Sequence, residues 1–309
     1  MSSRVPAISV VIPTRGRPAA LARAVRSLFR QDGVDTSRLE LVIVDNDVAR
    51  SAEPAAADLA AEAPFPLQYL CEPTAGVASA RNAGVMASRA PLIAFLDDDE
   101  EASPGWLAAL AAVREQFDAD VVFGPVRGCA PDEVRKHRAY LERFFSRAGP
   151  DRAQLLDGHF GCGSSLIRKS ALPDAAAPFA LAQNHIGGED DVLFLQMRAR
   201  GARFAWAPEA WVLEHPEPSR LNLGYALRRA FAYGQGPSYA CISRRPPDRL
   251  GVAYWMGVGL GQTTVFGVLA ALKWLAHAPD RAEALDRAAR GLGKVLWFGP
   301  FKPKFYGLP

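Results

Sequence analysis

Five consecutive acids, Asp97-Asp98-Asp99-Glu100-Glu101, follow the apolar run Leu92 to Leu96. Like charges at adjacent positions repel unless a cation neutralises them. Carboxylate oxygens are hard ligands that suit Mg²⁺ or Mn²⁺, and an ion that keeps open positions can hold a diphosphate as well. A solvated turn, or a helix start whose dipole favours acids, is the plainer alternative. A second cluster, Gly187-Gly188-Glu189-Asp190-Asp191, precedes Val192, Leu193, Leu195 and Met197. It reads as a flexible turn opening a helix with carboxylates, one of which could serve as a general base. An ordinary Asp is a weak base near neutral pH, so that role requires position and a hydroxyl that grows acidic as it reacts. Helix capping alone would also account for these acids. Between the clusters, Gly76 to Gly84 reads as a helix opened by glycine, with Arg81 and Asn82 one turn in. A helix N-terminus beside an arginine favours an anion or a nucleotide base.

Such clusters need a frame that brings them together. Over the first 125 residues, short β-branched runs alternate with longer helical patterns, which is the signature of βαβ units and a parallel sheet. Strands are expected at Ile8–Ile12, Leu41–Val44, Leu67–Cys71, Leu92–Leu96 and Val121–Phe123. Helices are expected after Pro18, over Ser51–Ala63, over Gly76–Ser88 and over Trp106–Phe117. Asp45-Asn46-Asp47 and Asp97-Asp98-Asp99 each follow the carboxyl end of an apolar strand, where open α/β sheets place ligands. Beyond about residue 125 the alternation stops, and Gly158–Arg168, Gly187–Arg200 and Ala210–Pro218 read as loop, helix and strand pieces of a second half.

The chain has 309 residues, 49% hydrophobic and 22% charged, enough apolar material for a large core and too much for a disordered or fibrous protein. A net charge of +3 leaves no nucleic-acid footprint, and no nucleic-acid partner is expected. The charge is uneven: residues from Cys241 onward carry a net +6, leaving the first 240 at −3. Four scattered cysteines, Cys71, Cys129, Cys162 and Cys241, form no CxxC pair and suggest reduced thiols in a cytoplasm. The apolar stretch Ala7–Pro13 is too short for a signal peptide and reads as a first strand. Leu250–Leu272 holds 23 residues without a charge, followed by a basic helical stretch from Pro279 to Lys294. Its length reaches that of a membrane span, but its glycines with Gln262, Thr263 and Thr264 make it only moderately apolar. An interfacial or re-entrant helix is favoured, with a buried helix and a full span as alternatives, and the basic flank suits an anionic lipid surface.

Five motifs, in this order and at these separations, resemble the family 2 inverting glycosyltransferases of bacterial polysaccharide assembly. They are Ser9 to Arg15, Val44-Asp45-Asn46, Gly76 to Gly84, Phe95 to Asp99 and Gly188 to Asp191. The resemblance covers about residues 7 to 236. It implies an α/β fold of GT-A type, a Rossmann-like, mostly parallel sheet with flanking helices, here with a helical C-terminal extension. It implies a transferase domain over 1–236, with a nucleotide-binding half over about 1–125 and an acceptor half over about 126–236. Residues 237–309 would then be a basic, partly apolar extension. By the same resemblance Pro13, Thr14 and Arg15 line the nucleotide pocket, Asp45 reads the nucleobase and Arg81 lies beside it. Asp97-Asp98-Asp99 stands as the DxD motif, with Asp97 by the ribose and metal and Asp99 ligating Mn²⁺ or Mg²⁺. Glu189-Asp190 matches the family's acidic pair, making Asp190 the catalytic base with Asp191 as its rival. His215 matches a later histidine that binds metal or diphosphate. Gly161 to Ser165, with Gly163 and Ser164, occupies the donor-sugar or acceptor region, together with Glu189. The nucleobase turn departs from the family pattern, reading Asp45-Asn46-Asp47-Val48.

The expected reaction moves a sugar from a nucleoside-diphosphate donor, UDP by family frequency, to a glycan hydroxyl with inversion. The acceptor is expected to be linked to polyprenyl diphosphate and the enzyme to sit on the cytoplasmic face of the inner membrane. Two other classes remain open at this stage. A nucleotidyltransferase would use a basic glycine-rich loop, which Arg15-Gly16-Arg17 faintly echoes, and a non-catalytic carbohydrate or membrane scaffold would keep the fold alone.

Overall fold

The computed structural model describes residues 5–184 and 188–301; Gly187, expected in the turn before Glu189, and the basic residues Lys302 and Lys304 lie outside them. The chain forms two compact units, one of Met1–Arg127 with Ser146–His215, the other of Gly128–Phe145 with Pro216–Pro309.

The first unit is built on β1 (Ile8–Thr14), α1 (Pro18–Leu28), β2 (Leu39–Asp45), α2 (Glu53–Glu62), β3 (Leu67–Cys71) and α3 (Val77–Ala87). β4 (Leu92–Phe95), β5 (Glu100–Ala102), α4 (Trp106–Phe117), β6 (Val121–Phe123) and β7 (Val126–Gly128) follow. β1 and β2 are apolar almost throughout because both faces of the sheet are covered. Val10, Ile12, Leu41 and Ile43 meet Leu21 of α1 and Leu110 of α4 on one side. Val11, Val42 and Val44 meet Val85 of α3 on the other. Parallel pairing aligns Thr14 with Asp45, Asp45 with Cys71 and Val11 with Phe95, so the strands end together at one edge.

After the segment carrying α5 (Arg138–Phe144), the chain returns as β8 (Gln154–Leu156), β9 (Ser165–Arg168), α6 (Glu189–Ala199), β10 (Phe204–Trp206) and β11 (Val212–Glu214). The main sheet has eight strands in the order β3-β2-β1-β4-β9-β6-β10-β8, with β9 antiparallel to both neighbours. A central mixed sheet flanked by helices is the Rossmann-like, GT-A arrangement that the resemblance implies. A second sheet, β5-β11-β7, was not visible in the sequence. Its register pairs Leu213 with Glu101 and Glu214 with Glu100, so two of the five clustered acids lie in a strand rather than a loop.

The second unit holds α5 and three long helices, α7 (Leu223–Ile242), α8 (Arg249–Leu275) and α9 (Arg281–Val295). These form the helical extension, and residue 236 falls within α7. α8 realises the uncharged stretch as one continuous helix, started by the Asp248 side chain accepting from Gly251 N–H. It is long and apolar enough to cross a bilayer by length and composition. The buried-helix alternative does not form: only Val252, Gly259 and Ala270 of its residues are buried.

Candidate active site

The first unit gathers the sequence-marked residues at the carboxyl edge of its sheet. Thr14 ends β1 and donates from Oγ1 to Asp98 Oδ2 at 2.7 Å. Arg17, just before α1, bridges two acids, 2.8 Å to Asp98 Oδ1 and 2.9 Å to Asp99 Oδ2. Arg81, on α3, donates to Glu189 of α6 and, at 3.1 Å, to Asp97 Oδ1. Burial opposes the Arg81 charge, but Cys162, Asp97, Glu189 and Asp190 around it raise its pKa well above the usual value. The chain's own guanidiniums therefore offset part of the acidic charge. Among the described residues, no three His, Cys, Asp or Glu side chains converge as a metal cage.

Each acid in the cluster has its own environment. Asp98 is almost wholly buried, and desolvation lifts its carboxyl from 3.8 to about 7, with Arg17 opposing and Asp99 adding to the rise. Glu100 accepts from Asp97 N–H at 2.9 Å and is buried, which raises it well above the ordinary carboxylate range. Asp97 keeps 38% of its side chain exposed and faces outward. Glu101 lies 3.4 Å from both Arg30 and His215 Nε2. His215 N–H donates to the Asp99 carbonyl at 2.8 Å, extending the β5–β11 pairing into the acidic turn. The structure thus brings His215 beside the cluster, with its ring toward Glu101.

The turn Gly161–Ser164 touches both acidic clusters. A Cβ on Gly163 would lie 2.7 Å from Asp97 Oδ2 and 2.8 Å from Glu100 Oε1, so a larger residue there would displace both carboxylates. Cys162 N–H donates to Asp190 Oδ2 at 3.1 Å, and Asp191 N–H donates to Asp190 Oδ1 at 2.9 Å. Asp190 is half-buried in the first turn of α6, where two backbone donors fix the direction of its side chain. Its rival Asp191 points outward and lies 3.0 Å from His159 Nε2. Glu189 is buried under Arg81, and its burial raises its carboxyl.

Asp98, expected at the donor, already faces inward onto Thr14 and Arg17, and three further expected site residues do the same. Asp45 is fully buried and accepts from Ala52 N–H at 2.8 Å, Tyr69 hydroxyl at 3.0 Å and Asp47 N–H at 3.2 Å. Its carboxylate shapes the turn after β2, and burial with this contact pushes Tyr69 up to about 12. Ser164 is buried, accepting from Trp106 Nε1 at 3.1 Å and donating to the Ala210 carbonyl at 3.3 Å. Glu189 is the third, spent on Arg81. Pro13 is half-buried and Arg15 exposed at the strand end.

Of three further residues that hold the site, Arg17 and Asn46 were named in the sequence only as members of motifs and Arg147 was missed. Arg17 lies two positions beyond Arg15, and its signal was the same Arg15-Gly16-Arg17 run. Asn46 donates to the Glu72 and Thr74 carbonyls at 2.8 and 2.7 Å and accepts from Gly76 N–H at 2.7 Å. It closes the loop leading into α3, where Gly76 adopts a φ of 131° against the Asn184 side chain. Arg147 is half-buried and donates to the carbonyls of Gly124, Gly161 and Gly163, the first at 3.0 Å and the last two at 2.9 and 2.5 Å. Desolvation lowers its pKa. No local motif announces it, because its partners are backbone groups.

Comparison with known proteins agrees with this geometry. Residues 9–174 match the pattern of glycosyl transferase family 2. The succinoglycan biosynthesis protein ExoM of Rhizobium meliloti is 32% identical over 234 residues, 74% of this chain and 73% of that protein. Validoxylamine A glucosyltransferase of Streptomyces hygroscopicus subsp. limoneus is 28% identical over 256 residues, 70% of this chain but only 53% of that protein. Among solved structures, S. aureus TarS 1-349 in complex with UDP-GlcNAc covers 93% of this chain and 90% of that one, with a TM-score of 0.52 at 14% identity. That likeness speaks for the fold, whereas the family pattern and the similarity to ExoM speak for descent. A Rossmann-like sheet whose carboxyl edge carries two acidic clusters, matched by these relatives, makes this chain a glycosyltransferase belonging to glycosyl transferase family 2.

Proposed function

We propose that the enzyme moves a sugar from a nucleoside-diphosphate donor, UDP-linked in the first instance, to a hydroxyl of a glycan acceptor, inverting the anomeric carbon. The observation that carries this is the Gly161–Ser164 turn, which rests on Asp97 through Gly163 and on Asp190 through Cys162 N–H. A sugar seated over these small residues would have the donor acids on one side and a half-buried carboxylate on the other. Asp190 takes the proton from the acceptor hydroxyl as that oxygen attacks, and the two N–H donors hold the carboxylate still. Arg81 ties the DxD segment to the α6 start, so donor and base share one strut. Thr14, Pro13 and Arg15 border the nucleotide, and Asp45 contributes by shaping the turn that faces the base.

The residues present fit a divalent cation. Six acids, Asp97 to Glu100 with Glu189 and Asp190, face three guanidiniums, Arg17, Arg81 and Arg147, and this excess of hard oxygen suits Mn²⁺ or Mg²⁺. Asp99 would hold the ion, with His215 beside it. With so few protein ligands, such an ion would depend on oxygens supplied by the donor as well. When bound, the metal supplies charge neutralisation for the departing diphosphate.

The similarity to ExoM, a succinoglycan biosynthesis protein, supports a place in cell-surface or exopolysaccharide assembly. Such an acceptor would be carried on polyprenyl diphosphate at the inner membrane, where the enzyme would sit peripherally on the cytoplasmic face. The test is a screen of UDP-, GDP- and dTDP-sugars with Mn²⁺ or Mg²⁺, reading thermal shift and nucleoside diphosphate released. One donor stabilises wild type only with metal and loses that effect in Asp99→Ala. Release is abolished in Asp190→Asn. Pyrophosphate as product, or no binding of any donor, overturns the reading.

A further inference from the structure

α8 presents a broad apolar face to solvent. Tyr254, Val258, Val265, Val268, Leu272 and Leu275 recur at spacings of three, four and seven residues and are all exposed. The positions beside them, among them Gly257, Leu260 and Thr264, are exposed too, and no charge occurs between Arg249 and Lys273. A seam made for one partner helix carries charged flanks that stay in water. This face has none, so its width suits a continuous apolar medium.

α9 decides the orientation. It lies along α8 with glycine against backbone: a Cβ on Gly259 would sit 2.6 Å from the Gly291 carbonyl, and one on Gly291 2.8 Å from the Gly259 carbonyl. Gln262 donates to the Arg287 carbonyl at 2.9 Å and accepts from Lys294 Nζ at 2.9 Å. α9 carries Arg281, Glu283, Asp286, Arg287, Arg290 and Lys294. A spanning α8 would drag these charges into hydrocarbon, which is prohibitive for so many together.

The charges around the face lean one way. Asp248, Asp280, Glu283 and Asp286 are paired with Arg244, Lys273, Arg143 and Arg290. Among the described residues, Arg245, Arg249, Arg281, Arg287 and Lys294 have no carboxylate partner. Arg287 lies 5.1 Å from the Phe266 ring and Arg281 5.0 Å from the Trp274 ring, placing cations at the margin of the apolar face. We infer that α8 lies in the plane of a bilayer surface, its apolar face among acyl chains and its arginine margin on anionic headgroups. This rests on the reading that the enzyme works at a membrane, and it deepens that reading by naming the surface and excluding a span.

Full-length protein is floated with phosphatidylcholine vesicles, with and without phosphatidylglycerol. Flotation requires phosphatidylglycerol and drops roughly tenfold in Val258→Glu/Val265→Glu and in Arg249→Glu/Arg287→Glu. Circular dichroism shows that the variants fold, and donor hydrolysis without lipid stays at the wild-type rate. Loss of hydrolysis in wild type strikes at the sugar-transfer reading alone, because flotation is read separately. Depth is read with a fluorophore on Val258→Cys, Val265→Cys or Leu272→Cys, after Cys71 and Cys129 are changed to Ser. Equal quenching by shallow brominated lipid at all three supports the in-plane helix. A gradient over the ~21 Å of helix between the outer two would mean a span and overturn it. So would a lipid-independent dimer that Val258→Glu dissociates, or absence of vesicle binding.

Discussion

Asp190 and Asp191 are neighbours with different fates. Asp190 is gripped by two backbone N–H groups against the glycine turn, whereas Asp191 faces water and His159. Asp190→Asn should therefore keep donor affinity and lose turnover by about 100-fold or more, and Asp191→Asn should lose little, as steady-state kinetics would show. Arg81→Met leaves Glu189 buried beside Asp97 without its counter-ion. It should destabilise the protein by roughly 3–5 kcal/mol in urea denaturation. Asp98 gives a pH signature in chelator-treated protein. Its folded pKa, about 7, exceeds the ordinary 3.8, so the folded state binds the proton more tightly. That contribution to stability is complete below about pH 4 and is lost as pH rises through about 7. Melting temperature should fall over this window in wild type, and Asp98→Asn should flatten the profile. A parallel decline in the variant would place the effect elsewhere.

At the scale of elements, legibility followed the strength of periodic signals. β1, β2 and β3 and helix α4 were readable because runs of four or more apolar residues, or several helical turns, leave a clear pattern. β5 and β7 were not, since they are short and β5 is disguised by Glu100 and Glu101, whereas β11 falls within the strand piece expected over Ala210–Pro218. The acidic clusters, Arg81 and the glycine turn were visible in the sequence because like residues lie side by side. Arg147 was invisible because it acts on carbonyls distant in the chain, and Asn46 was named only within the Asp45-Asn46-Asp47 turn, its bonds to the loop 72–76 unforeseen. Their importance can be measured. Asn46→Ala removes three hydrogen bonds from the loop 72–76 and should cost about 2–4 kcal/mol, with donor affinity falling in the same variant. An unchanged donor affinity would show that the loop does not shape the nucleotide pocket. The buried faces of Asp45 and Ser164 lay beyond sequence reasoning for the same reason: a motif states which residues are near, not which way they turn.

At the scale of the whole chain, chemistry and helical extension belong to separate compact units, each with its own core. The extension's basic charge, visible from composition, becomes informative only once its acids are seen to be paired. The other unit offsets much of its site's charge with arginines: Arg17 on Asp98 and Asp99, Arg81 on Asp97 and Glu189. That feature uncouples assembly from loading. A site whose carboxylates needed an ion to overcome their repulsion would fold only with the ion, as small zinc domains do. Here the polypeptide brings its own counter-charges, so the apoenzyme should accumulate as a folded, storable protein whatever the supply of metal. Chelation should leave the melting temperature near that of untreated protein, and added Mn²⁺ should restore turnover without a refolding lag. In a cell whose manganese and magnesium fluctuate, such an enzyme would be idled by scarcity and not destroyed by it.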